Sequence, residues 1–128
     1  MISRREGLML YWCEGDKYKS GAYKVAVTSS EPQMIKLFID WLTRYYNADP
    51  EQIKLRLHIW DGTNLHEAQE WWLKQLNVKA KFTKPYVKKR GGKNKFPHGI
   101  CRASLNSKEI LLRILEEIRN EFESDHCL

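Results

Sequence analysis

Two stretches of this chain hold residues whose types and spacing suit chemistry. The first is Leu8-Met9-Leu10-Tyr11-Trp12-Cys13-Glu14-Gly15, an apolar run closed by an acid and a glycine. Its apolar spacing predicts a helix over residues 4–14, with Gly15 as the stop. Glu14 then lies at the helix C-terminus, where the dipole opposes a carboxylate. Such a charge calls for a metal ion, a lysine partner or simple exposure. The second stretch is basic. From Lys79 to Arg102 stand nine cationic residues and no acid: Lys79, Lys81, Lys84, Lys88, Lys89, Arg90, Lys93, Lys95 and Arg102. The whole chain carries +6, so the rest of it is slightly acidic and the positive charge is local. Tyrosine and phenylalanine interleave with these lysines, a pattern that suits a polyanion and above all nucleic acid.

The elements that must position these residues fit one domain over residues 1–128, long enough to bury a core. Apolar residues make up 42% of the chain, which argues against disorder. No apolar run approaches the roughly 18 residues of a membrane span, so no membrane partner is expected. Met1 to Glu6 leads into an amphipathic segment rather than a signal peptide. Three cysteines, odd in number and widely spread, argue for a reducing, intracellular setting.

Residues 23–29 alternate as a strand, and Lys17-Tyr18-Lys19 could pair with it across a Ser20-Gly21 turn. Ser30 is the expected cap of a helix running to about Tyr46, with Pro32 in its first turn and Gln33 closing a capping box. Residues 53–60 alternate cleanly: Ile53, Leu55, Leu57 and Ile59 face a core, while Lys54, Arg56, His58 and Trp60 face outward. Asn64 and Glu67 open a helix to about Leu76. Trp71 and Trp72 cannot both face the core. Residues 82–90 and 99–105 read as a hairpin around Gly91–Lys95. Ser107 caps a last helix with Ile110, Leu111, Ile114, Leu115, Ile118 and Phe122 inward and an acidic end. The expected class is α+β, with one sheet whose basic face stays exposed.

Leu8 to Gly15 resembles a degenerate LAGLIDADG motif of the homing-endonuclease superfamily. Glu14 falls at that family's acidic metal ligand and Gly15 at its closing glycine. Val27 to Pro32 resembles its strand-to-helix junction, and Tyr86 to Asn106 its basic hairpin before the last helix. The resemblance implies a LAGLIDADG-like αββαββα domain with one basic antiparallel sheet and an inserted strand and helix over residues 51–78. It implies a homodimer whose motif helices pack at a twofold through Gly7, Met9, Leu10 and Cys13. Glu14 and the carbonyl of Cys13 would hold Mg2+ or Mn2+, Ser29 would position water, and Arg102 is a candidate basic residue near the metal. The implied activity is metal-dependent cleavage of double-stranded DNA.

The binding argument stands on the residues alone. Alternation groups Lys84, Tyr86, Lys88 and Arg90 on one strand face and Arg102 with Ser104 on another. Lys24 and Thr28 extend this surface, and Lys81, Lys93 and Lys95 add charge to it. The alternatives are a non-cleaving DNA-binding regulator on the same fold and an RNA-binding or intron-splicing helper. The second ranks lower, because the sequence suggests no exposed aromatic pair for base stacking on a sheet. His98 with Cys101, and His126 with Cys127, match no standard zinc spacing.

Overall fold

The computed structural model describes residues 1–16, 23–78, 80–89 and 96–123. The elements run α1 (Arg4–Glu14), β1 (Lys24–Ser29), α2 (Pro32–Tyr45), a 3₁₀ turn (Pro50–Gln52), β2 (Lys54–Trp60), α3 (Leu65–Leu76), β3 (Lys81–Phe82), β4 (Tyr86–Lys88), β5 (Ile100–Asn106) and α4 (Lys108–Ile118). A wider helical turn, Arg119–Glu123, extends α4. The expected strand at Lys17–Lys19, its Ser20-Gly21 turn and the Gly91–Lys95 loop lie outside the described residues.

The α+β class holds, but the sheet is mixed rather than wholly antiparallel. Its order is β1-β5-β2, and β3 and β4 follow one another along the far edge of β2. β5 is antiparallel to both β1 and β2, whereas β3 and β4 run parallel to β2. Two expectations are corrected here. Residues 82–90 do not form a hairpin with 99–105, since β5 lies between β1 and β2. Residues 53–60 are not part of an insertion but form a central strand beside β5. The reason is physical. β5 has a full alternating apolar face, with Cys101, Ala103 and Leu105 buried, and matches the buried faces of β1 and β2. All three residues of β4 are exposed, so it suits an edge. Thr83, Lys84 and Pro85 separate it from β3. The Thr83 N–H donates to the Leu55 carbonyl at 2.7 Å, and Pro85 has no N–H to give.

One face of the sheet meets the helices. Val25, Val27, Leu55, Leu57, Ile59, Cys101, Ala103 and Leu105 join one apolar cluster with residues of all four helices. In α2 the buried stripe is Ile35, Phe38, Ile39, Trp41 and Leu42. Its cap differs from the expectation. Glu31, not Ser30, is the N-cap and has no capping side-chain bond; Ser29 Oγ instead accepts from the Glu31 N–H at 3.0 Å. In α3, Asn64 caps by accepting from the Glu67 N–H, and Trp72 is the tryptophan that enters the core. Ser107 caps α4 as expected.

The packing of α1 explains two glycines. A Cβ on Gly7 would sit 2.0 Å from the Trp41 indole nitrogen, and Trp41 Nε1 donates to the Arg4 carbonyl at 3.1 Å. A Cβ on Gly15 would sit 2.5 Å from the Tyr11 ring. The buried Tyr11 hydroxyl donates to the Asp16 carbonyl at 2.5 Å and accepts from the Ala26 N–H at 3.3 Å. Gly15 bridges Val27, and the Asp16 N–H donates to the Ala26 carbonyl. The end of α1 is thereby sewn to β1. The acidic end of α4 also finds its partners on α1. Arg4 pairs with Glu117 at 3.3 Å and Glu121 at 2.5 Å, and Arg5 reaches Glu121 at 3.3 Å. Trp12 stacks on Phe122 at the same contact.

Candidate nucleic-acid interface

The face of the sheet turned away from the helices is built by strand register. Residues paired across a sheet share a face. Thr28, Arg102 and Arg56 therefore form one row across β1, β5 and β2. Ala26, Ser104, Lys54 and Lys81 form a second row that reaches β3; Ala26 is fully buried, so the face is covered at that point of β1. Lys24 sits beside Asn106 at one end. At the other end lie Ile100, His58 and Tyr86, followed by Trp60 and Lys88. No strand residue of this face is acidic.

Arg56 and Arg102 are direct cross-strand neighbours. Like charges in that position destabilise a sheet by roughly 0.2–1 kcal/mol. Each guanidinium has a local contact. Arg102 Nη2 pairs with Asp16 Oδ2 at 2.6 Å, and its Nη1 donates to Thr28 Oγ1 at 3.4 Å. Arg56 lies over the Tyr86 ring, 5.9 Å from its centroid. Burial, then the charges of Arg56, Arg102 and Lys88, hold His58 below the ordinary histidine value. The surface is thus a positive field with a neutral histidine inside it.

The expected binding residues distribute as follows. Lys24, Thr28, Tyr86, Lys88, Arg102 and Ser104 share the open face, with Lys81 beside them on β3. Lys84 is exposed in the link between β3 and β4. Arg90, Lys93 and Lys95 lie outside the described residues. Sequence reasoning left out Lys54, Arg56, His58 and Trp60 as binding residues. Their alternation already turned them outward; what was missing was the pairing of β2 with β5, which places them mid-face. It also missed the aromatic residues brought to one end of the face by the parallel β2–β4 pairing, where an exposed Tyr86 pairs with His58 and a half-buried Trp60 with Lys88.

Glu14 ends α1 two residues before Asp16, at the β1 edge of the open face. Its carboxylate is exposed, and among the described residues it has no hydrogen-bond or ion-pair partner. Cys13 is exposed beside it, and Ser29 is half-buried at the end of β1. Of the residues expected at a twofold, Met9 (43% exposed) and Cys13 reach the surface and Leu10 is half-buried. Gly7 does not reach it: the space a side chain would need is filled by Trp41 of the same chain. The described residues hold no cluster of three or more His, Cys, Asp or Glu able to bind a metal. His98 and Cys101 are not brought together as ligands, because His98 stacks on Trp71 at 4.5 Å while Cys101 is buried in the core. None of the described helices is long and apolar enough to cross a membrane. No protein-family model, curated protein or solved structure matches this chain.

Proposed function

We propose that this protein binds double-stranded DNA through its open sheet face and, as a homodimer, cuts it with a divalent metal. The observation that carries the binding reading is the Arg56–Arg102 pair at the centre of a face with no acidic strand residue. Juxtaposed cations cost stability in the free protein, and a phosphate backbone relieves that cost. Lys24, Lys54, Lys81 and Lys88 extend the field towards the edges. Arginine can also bridge guanine in a major groove.

Cleavage rests on Glu14 and on the LAGLIDADG resemblance of Leu8 to Gly15. A free carboxylate beside the carbonyls of a helix C-terminus is an oxygen donor set that suits Mg2+ or Mn2+. One chain supplies one such carboxylate, so a second copy and the DNA phosphates would complete the coordination. The ion, when bound, would supply an activated water and charge stabilisation of the leaving oxygen. Arg102 lies close to this edge through Asp16. The second reading, a DNA-binding regulator without cleavage, is favoured by the engagement of Asp16 with Arg102, which leaves Glu14 without a second free acid beside it.

A nicking assay on a pooled duplex library with Mg2+ or Mn2+ tests the choice. The endonuclease reading predicts defined products that vanish in Glu14→Gln, with duplex binding unchanged. Duplex binding without products at either metal leaves the regulator.

A further inference from the structure

The open face is not chemically uniform. Its Lys24 end carries Asn106 and Ser104, polar groups suited to a phosphate backbone. Its β4 end carries three rings in register. His58 is beside Tyr86, with ring centroids 5.4 Å apart, and Trp60 is beside Lys88. Tyr86 is 48% exposed although it lies in a strand. Each larger ring has a cation against it. Lys88 Nζ is 5.1 Å from the Trp60 centroid, and Arg56 lies over Tyr86. Such contacts are weak at exposed sites and exchange readily. Rings on an open sheet, each next to a cation, match what an unpaired nucleotide needs: a base stacks on the ring while its phosphate takes the cation. A fully paired duplex has no free base to offer these rings.

We propose that the Trp60–Tyr86 end of the face stacks an unpaired base, so that the preferred ligand is duplex DNA with an adjoining unpaired nucleotide, as in a bulge or an overhang. This rests on the reading of the face as a DNA interface. Tyr86 and Trp60 are the stacking residues, Lys88 and Arg56 take the flanking phosphates, and the His58 ring lies against Tyr86.

The test uses three fluorescent probes in anisotropy titrations at fixed salt: a blunt duplex, the same duplex with a short oligo-dA overhang, and one whose overhang is abasic. The abasic probe carries the added phosphates without the bases. The wild-type chain is expected to bind the dA overhang about 5- to 100-fold more tightly than the abasic one, the range for base–aromatic stacking. Tyr86→Ala and Trp60→Ala are expected to erase that difference, lowering affinity for the dA overhang more than for the blunt duplex, and Tyr86→Phe to retain it. Equal affinity of the wild type for the dA and abasic overhangs overturns the stacking proposal and leaves duplex binding intact. Loss of affinity for all three probes alike in the alanine variants also overturns it. Binding to none of the probes overturns the DNA reading beneath it. A ribonucleotide overhang bound far more tightly than dA overturns the assignment to DNA.

Discussion

The two faces of the sheet are written by alternate residues of the same strands, yet they obey opposite rules. On the helix side Leu55, Leu57, Cys101 and Ala103 are fully or almost fully buried, and each is fixed by its neighbours. On the open side the cross-strand neighbours of the centre are two arginines, and a histidine beside them is held neutral. The first arrangement lowers the energy of the isolated chain. The second sets like charges side by side, offset in part by the Asp16 carboxylate on Arg102. The difference separates what folds this protein from the surface proposed to bind DNA, and it can be attacked from either side.

The largest effects belong to the core face. Trp72→Ala removes a fully buried indole and its 2.9 Å bond to the His98 carbonyl. A loss of roughly 3–5 kcal/mol is expected in urea unfolding, a large part of the stability of a domain this size. Gly7→Ala is expected to destabilise as well, because its Cβ meets Trp41 inside a packed core.

On the open face the expectation inverts. Arg56→Ala leaves stability within about 1 kcal/mol of the wild type, since it relieves a like-charge neighbour and loses an exposed ring contact. The same variant is expected to weaken duplex binding roughly ten-fold or more, read by anisotropy. Should Arg56→Ala unfold the protein while DNA binding persists, the distinction between the faces fails.

The smallest expected effect is on pH. His58 lies below the ordinary value of 6.5, mainly because it is half-buried and then because cations surround it. Its fold therefore resists protonation. Well above pH 6.5 the residue is neutral in both states and contributes nothing to the pH dependence. As pH falls below about 6.5 the unfolded chain takes up the proton first, and stability declines until the folded value is passed. Glu121, lowered chiefly by its hydrogen bond from Arg4, acts at more acidic pH, its stabilisation being lost as pH falls through its folded value. Melting temperatures between pH 7 and pH 5.5 are expected to fall, and to fall less in His58→Gln.

Much of this was legible in the chain because it is local. The helix over 4–14, the alternation of 53–60 and the Ser107 cap follow from periods and end signals within a few residues. The partner of each strand was not legible. β5 carries an alternating pattern that suits any half-buried neighbour, and along the chain the nearest preceding candidate is residues 82–90. Pairing is decided by which strand offers a matching buried face, and β2, some forty residues earlier, does so. That one choice moved Lys54 and Arg56 from an insertion to the middle of the site. Gly7 shows the same ambiguity. A small residue on a helix marks close approach, and the neighbour proves to be Trp41 of the same chain.

The central claim is that the open face binds duplex DNA, and the salt dependence of binding tests it most directly. Affinity for a short duplex would be measured across a salt series for the wild type and for Lys54→Glu combined with Arg56→Glu. The account predicts a steep loss of affinity with salt in the wild type and, in the variant, a shallower slope by about one unit per contact removed, with the thermal transition preserved. Equal affinity and equal slope in the two proteins would contradict it.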